Sequence, residues 1–192
     1  MEKEKEMTRQ GQDGASFGMI HVYTGDGKGK TTAALGLAFR ACGHGLKSCM
    51  IQFMKNPEMM GFRYGEIQAT QKKSLGIEIH SFGRPGWIRA GEATEEDHNL
   101  ALSALKKAGE VLKDPEFHIV ILDEIFLPLH FGIIATQDVL TLIDSKPSEK
   151  ELILTGRGAP PEVIERADLV TEMRAVKHYF DKGQPARKGI EY

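Results

Sequence analysis

The sequence predicts an α/β domain of three layers, a mostly parallel central sheet flanked by helices. Short apolar runs alternate with helical patterns along most of its 192 residues. The runs are nearly continuous in apolar residues, as suits strands covered on both faces. A glycine-rich turn follows the first run directly and opens the first helical pattern, which is the setting of a phosphate-binding loop. Alternation of this kind implies right-handed crossovers, with ligands bound at the carboxyl ends of the strands.

The candidate strands are residues 20–23, 48–53, 77–82, 118–122, 151–154 and 168–172. Between them, residues 30–41 read as a helix ended near Gly43. Residues 94–113 form the clearest amphipathic pattern, because Ala101, Ala104, Leu105, Ala108, Val111 and Leu112 recur at helical spacing. Thr94 with Asp97 makes a capping-box pattern at its start. Residues 138–144 and 161–167 supply shorter helices. Residues 54–76, with Pro57, Met59, Met60, Gly61, Gly65 and Gly76, are less regular, and a mobile loop and a helix are expected there.

At 192 residues the chain suits one domain with a sizeable core. Residues 1–17 mix acidic and basic side chains with glycine and carry almost no apolar surface, so they are expected to form a flexible arm ahead of a single domain over 18–192. Hydrophobic content of 41% and charged content of 27% are ordinary for a soluble protein, and a net charge of −2 gives no electrostatic case for nucleic acid. No apolar run approaches the roughly 20 residues that span a bilayer, and the first residues lack the apolar stretch of a secretion signal. A cytoplasmic location is expected. Cys42 and Cys49 make no paired metal-ligand motif and read as buried free thiols. The seven histidines are scattered, so no protein metal site beyond transient magnesium is expected.

The turn at 24–32 reads Thr-Gly-Asp-Gly-Lys-Gly-Lys-Thr-Thr. Gly25, Gly27 and Gly29, with Asp26 and Lys28 between them, let successive backbone N–H groups face inward around an anion. Lys30 supplies a point charge for phosphates, Thr31 a hydroxyl for magnesium, and Thr32 continues into the helix. The usual spacing, Gly-x4-Gly-Lys-Ser/Thr, would put the first glycine at position 24, where this chain has Thr24. The one-residue displacement to Gly25 predicts a cradle of unusual path.

Two further strand ends carry chemistry. The run at 119–124, Ile-Val-Ile-Leu-Asp-Glu, ends in carboxylates suited to magnesium, directly or through water. If the strand continues through both, Asp123 and Glu124 point to opposite sides, so one of them should dominate. Arg157, between Gly156 and Gly158, is placed to reach phosphate oxygens or to hold a loop, and Pro160 and Pro161 suit the start of a helix.

Taken in order, these pieces closely resemble the corrinoid adenosyltransferases of the ATP-binding, phosphate-loop type that serve cobalamin synthesis and salvage. The resemblance runs from about residue 19 to residue 192. Its most specific stretches are Thr24-Gly-Asp-Gly-Lys-Gly-Lys-Thr-Thr-Ala-Ala34, Ile121-Leu-Asp-Glu124 and Leu154-Thr-Gly-Arg-Gly-Ala-Pro160. Ala167-Asp-Leu-Val-Thr-Glu-Met173, Val176-Lys-His178 and the ending Ala186-x-x-Gly-Ile-Glu-Tyr192 complete it. A general phosphate-loop enzyme would share the first two alone.

The resemblance implies a RecA-like phosphate-loop domain that transfers the 5′-deoxyadenosyl group of ATP to the cobalt of a reduced corrinoid and releases triphosphate. It implies ATP held in the reverse sense along the loop, a typical homodimer whose N-terminal segment helps cover the site, magnesium, and an electron donor such as a flavoprotein. Co(I) is itself a powerful nucleophile, so the protein must position ATP, spread the leaving charge and exclude water rather than supply a base. Lys30, Thr31 and an acid of the Asp123/Glu124 pair, Glu124 the candidate catalytic one, would carry the electrostatics.

In the family, aromatics beside the corrinoid displace its lower axial ligand. Here Phe82-Gly-Arg-Pro-Gly-Trp-Ile-Arg89 has Trp87 at the aromatic place and Arg89 where the family has tryptophan, so the role is carried to Trp87 alone. Met54, Met59 and Met60 are candidates to line the corrinoid pocket, against the commoner role of gap-filling. The competing readings are a RecA-like ATPase or kinase acting between phosphates, and a non-enzymatic ATP-dependent corrinoid-binding protein.

Overall fold

Side-chain alternation along the central strands builds two cores, one on each face of a sheet. In a computed structural model, which describes residues 18–59, 62–72, 75–86, 88 and 91–192, strand β6 (Ile119–Asp123) sends Val120 and Leu122 into one apolar cluster and Ile119 and Ile121 into another. Strands β2 (Ser48–Phe53) and β7 (Glu151–Thr155) divide in the same way, with Ile51 and Leu152 on one side and Met50 and Ile153 on the other. Helix α1 (Lys30–Cys42) covers the second face through the small residues Ala34, Ala38 and Ala41.

The short pair β3 (Glu58–Met59) and β4 (Phe62–Arg63) and helix α2 (Gly65–Lys72) follow β2, and β5 (Ile77–Phe82) follows them. Helix α3 (Glu95–Lys113) covers the first face with Ala101, Ala104, Ala108, Val111 and Leu112. Its capping box forms as expected, the Thr94 hydroxyl accepting from the Asp97 N–H and Asp97 accepting from the Thr94 N–H. Helices α4 (Phe126–His130), α5 (Thr136–Asp144) and α6 (Pro161–Arg166), strand β8 (Leu169–Glu172) and a 3₁₀ turn (Tyr179–Lys182) complete the chain.

The six long strands form one sheet in the order β5-β2-β6-β7-β1-β8, where β1 is Ile20–Thr24, and every pairing is parallel. All carboxyl ends therefore lie along one edge of the layer, with Thr24, Asp123 and Thr155 on adjoining strands. The α/β class is as the sequence predicts. Strands β1, β6 and β7 each run one residue past the apolar pattern, to those same three polar residues. All three are buried, because hydrogen bonds rather than apolar contacts hold them. Helix α4 has five residues with a proline among them and shows no helical periodicity. Cys49 is buried and its thiol is pushed up to about 12 by burial, whereas Cys42 is only half-buried. The N-terminal arm over 1–17, Met60, Trp87 and Arg89 lie outside the described residues, as do the side chains of Glu58, Met59 and Phe62.

Candidate active site

The displaced glycine has a packing cause. The chain leaving β8 crosses the phosphate loop at Met173, whose N–H donates to the Thr24 carbonyl at 2.8 Å and whose carbonyl accepts from the Gly27 N–H at 2.6 Å. A Cβ on Gly25 would lie 2.4 Å from the Met173 carbonyl oxygen, and one on Gly27 would lie 2.7 Å from it. Gly25 also has φ 92°, so the tight passage falls at 25 and 27 and position 24 can be a threonine. The Thr24 hydroxyl accepts from the Ala159 N–H at 3.2 Å and ties the loop to the turn that carries Arg157. Lys30 is buried at the start of α1 and donates to the carbonyls of Gly25 at 2.6 Å and Gly27 at 2.8 Å. Burial lowers its ammonium pKa, with Arg157 adding to the effect and Glu124, Asp26 and Asp123 opposing it.

Asp123 is fully buried at the end of β6. Its Oδ1 accepts from the Thr31 and Thr155 hydroxyls, each at 2.8 Å, and its Oδ2 accepts from Lys55 Nζ at 2.6 Å. The strand stops there. Glu124 adopts φ 58°, a left-handed conformation, and its N–H donates to the Thr155 hydroxyl at 3.0 Å. The two carboxylates therefore do not alternate along a continued strand. The turn puts both at the site, Asp123 behind it and Glu124 in its lining.

The Glu124 carboxylate accepts no hydrogen bond from the described residues. Its pKa is raised, first by burial and then by the Asp123 charge, against the pull of Lys55, Lys30 and Arg157. Met54 shares this strained geometry, with φ 55° just past the end of β2. Among the described residues these are the two non-glycine positions with positive φ, and both face cavities.

Two cavities open at this edge. The first, about 470 Å³, is lined by residues 26–32 of the loop together with Leu35, Lys55, Tyr64, Glu124 and Arg157, and by residues 189–192 of the last segment. Four of its cations, Lys28, Lys30, Lys55 and Arg157, face four carboxylates, Asp26, Glu66, Glu124 and Glu191. An anion rich in charge therefore needs a further cation beside it. The second cavity, about 790 Å³, is more apolar, with Phe53, Met54, Ile88, Leu127 and Phe131 in its wall. Asp26, Lys55, Tyr64, Glu124, Arg157 and Glu191 belong to both linings and form the boundary.

Of the expected site residues, Asp26 through Thr32, Glu124 and Arg157 line the first cavity, while Gly25 and Asp123 lie behind it. Gly86 and Ile88, which flank Trp87 in sequence, line the second. Sequence reasoning missed Lys55, whose signal was its place just past the carboxyl end of β2, next to β6 in the sheet. It also missed Tyr64, and it singled out the closing segment only as part of the resemblance, without placing it at the cavity. Lys28 Nζ donates to the Ile190 carbonyl at 3.1 Å, and the Glu191 carboxylate accepts from the Tyr179 hydroxyl and from Arg187. These contacts, the tyrosine first, hold Glu191 down at about 2.

A parallel sheet with a phosphate loop after β1 and a buried acid on β6 defines a nucleotide-binding phosphate-loop protein. Residues 16–192 match the family described as ATP:corrinoid adenosyltransferase BtuR/CobO/CobP, and the chain belongs to that family. It is 37% identical over 175 residues to a corrinoid adenosyltransferase of Pseudomonas aeruginosa, covering 91% of this chain and 84% of that one. It is 35% identical over 190 residues to the corrinoid adenosyltransferase of Escherichia coli strain K12, covering 99% and 93%. It is 33% identical over 190 residues to the corrinoid adenosyltransferase CobA of Salmonella typhimurium, with the same coverage. In fold it is similar to the flagellar accessory protein FlaH of Methanocaldococcus jannaschii, with a TM-score of 0.52 at 12% identity, covering 87% of this chain and 76% of that one. No helix among the described residues is long and apolar enough to cross a membrane.

Proposed function

We propose that this chain transfers the 5′-deoxyadenosyl group of ATP to the Co(I) centre of a reduced corrinoid and releases triphosphate. The observation that carries the reading is the pair of joined cavities, one built on a phosphate cradle and the other larger and apolar, sharing a boundary at Lys55, Tyr64, Glu124 and Arg157. ATP belongs in the first and the corrinoid in the second, so that C5′ meets cobalt at the boundary.

The protein's part is orientation and charge. The loop amides, Lys30 and Arg157 hold the phosphates, and the Gly25, Gly27 and Gly29 turn lets the backbone approach them. Thr31 and Glu124 would hold magnesium, with Asp123 orienting Thr31. Hydroxyl and carboxylate oxygens suit that hard cation, and of the Asp123/Glu124 pair the Asp123 oxygens are taken by Thr31, Thr155 and Lys55 whereas those of Glu124 accept from no described residue. Bound there, magnesium would neutralise triphosphate charge among the cavity's four carboxylates. The apolar wall excludes water from the reacting atoms, and no residue need act as a base toward Co(I).

Trp87 is assigned to the lower face of the corrinoid on the family resemblance, and its neighbours Gly86 and Ile88 in the second lining support that place. A homodimer is the proposed assembly, with residues 1–17 as an arm covering a site. The exposed Leu169 and Val170 on the sheet's edge strand support it. An electron donor such as a flavoprotein would supply Co(I), and the location is cytoplasmic.

Phosphorus NMR of the reaction products tests the reading. Adenosyl transfer yields one triphosphate per corrinoid consumed, whereas cleavage between phosphates would yield orthophosphate or a phosphorylated acceptor and would reject it.

A further inference from the structure

Lys55 is held as a fixed part of the boundary between the cavities. Its backbone follows the strained Met54, and the Asn56 side chain donates to the Gly83 carbonyl at 3.1 Å. Gly83 passes so close that a Cβ there would lie 2.5 Å from the Lys55 nitrogen. The ammonium sits 2.6 Å from Asp123 Oδ2 and 5.6 Å from the centre of the Tyr64 ring, with the side chain 19% exposed and in the lining of both cavities. A buried counter-ion for Asp123 would not need to face either cavity. An ammonium carries three N–H donors, and one of them satisfies Asp123.

The chemistry proposed above creates charge at one place. Cobalt's electron pair forms the Co–C5′ bond, the C5′–O bond breaks, and its pair goes to the oxygen of the α-phosphate. That oxygen is the end of the triphosphate nearest the corrinoid, so its charge develops at the boundary, whereas Lys30 lines the phosphate cavity alone, with two of its three donors on the loop carbonyls of Gly25 and Gly27.

We propose, resting on that reading, that Lys55 is a further catalytic residue, the cation that stabilises the leaving oxygen of the triphosphate as the C5′–O bond breaks. It stays protonated throughout and no proton moves. Burial by itself would lower its pKa, but Asp123, by charge and hydrogen bond, with Glu124 and Glu66, more than reverses that and keeps it a cation.

The test is transfer to pre-formed Co(I) at saturating corrinoid by K55Q and K55R, alongside thermal unfolding. Expected is a fall in kcat of about 100-fold in K55Q with its KM for ATP within about threefold of wild type, and recovery of at least about tenfold of that loss in K55R. A kcat for K55Q within about threefold of wild type, or K55R no faster than K55Q, overturns the assignment. A loss confined to KM overturns it too. A second measurement uses the unaltered protein: the side-chain ammonium nitrogen signal of Lys55, identified by its absence in K55R, should shift when inorganic triphosphate is added, and a signal that stays put overturns the proposal. Wild-type protein that turns over while Lys55 proves indifferent would reject Lys55 alone. Wild-type protein that forms no Co–C bond would reject the adenosyl-transfer reading and Lys55 with it.

Discussion

The Thr31 hydroxyl donates to Asp123 Oδ1 across 2.8 Å, joining the phosphate loop to the carboxyl end of β6. The same carboxylate holds Thr155 on β7 and Lys55 beyond β2, so one buried charge fastens three strand ends together. Asp123→Asn should therefore act mainly on folding. It leaves the Lys55 ammonium beside a neutral amide at a fully buried strand end, and urea unfolding should show a loss of about 3–5 kcal/mol. A loss under about 1 kcal/mol would mean that the junction is solvated.

Glu124→Gln should do the opposite. Its carboxyl is raised by burial and by Asp123, so the protonated form is favoured by the fold. The stability it contributes is fullest below the ordinary glutamate value of about 4.3 and is lost as pH rises through the higher folded value. The glutamine variant should match wild type in acid and equal or exceed it at neutral pH. Its affinity for Mn²⁺ in the presence of ATP should fall about tenfold or more, read by electron paramagnetic resonance. Unchanged metal affinity would remove Glu124 from the metal site.

Lys30→Ala removes a buried cation that faces the phosphate cavity. ATP affinity should drop by about 2–4 kcal/mol, roughly 30- to 1,000-fold, by equilibrium binding. The fold should survive, because its hydrogen bonds go to the two loop carbonyls alone.

Gly83→Ala probes how the second cavity is held. The added Cβ would meet the Lys55 nitrogen at 2.5 Å and the Met54 carbonyl carbon at 2.6 Å, both backbone atoms that cannot swing aside. A cost of about 1–3 kcal/mol is expected. The KM for corrinoid should rise more than that for ATP, since the displaced segment carries Gly86 and Ile88.

The sequence was most informative where chemistry and periodicity agree. The apolar runs located the six long strands to within a residue at every end, and the loop, the acid pair and Arg157 stand at the sheet's carboxyl edge. The alternation expected if the strand continued through Asp123 and Glu124 does not arise, because the strand stops at Asp123 and a period-two rule cannot foresee the positive φ of Glu124. It was silent on Lys55 and Tyr64, which lie in the irregular stretch after β2. Nor could it place the closing segment, since the contact of Lys28 with Ile190 is a tertiary event with no local signature. The displaced glycine was visible at once, yet its cause, the crossing at Met173, is equally long-range.

The most direct test of the account is the absorbance of a corrinoid held as Co(I) without oxygen and mixed with the protein, with and without ATP. The Co(I) spectrum should give way, only when ATP is present, to that of a light-sensitive alkylated corrinoid, and Lys30→Ala should not support the change. A Co(I) spectrum that persists while ATP is bound, or an equal change without ATP, would contradict it.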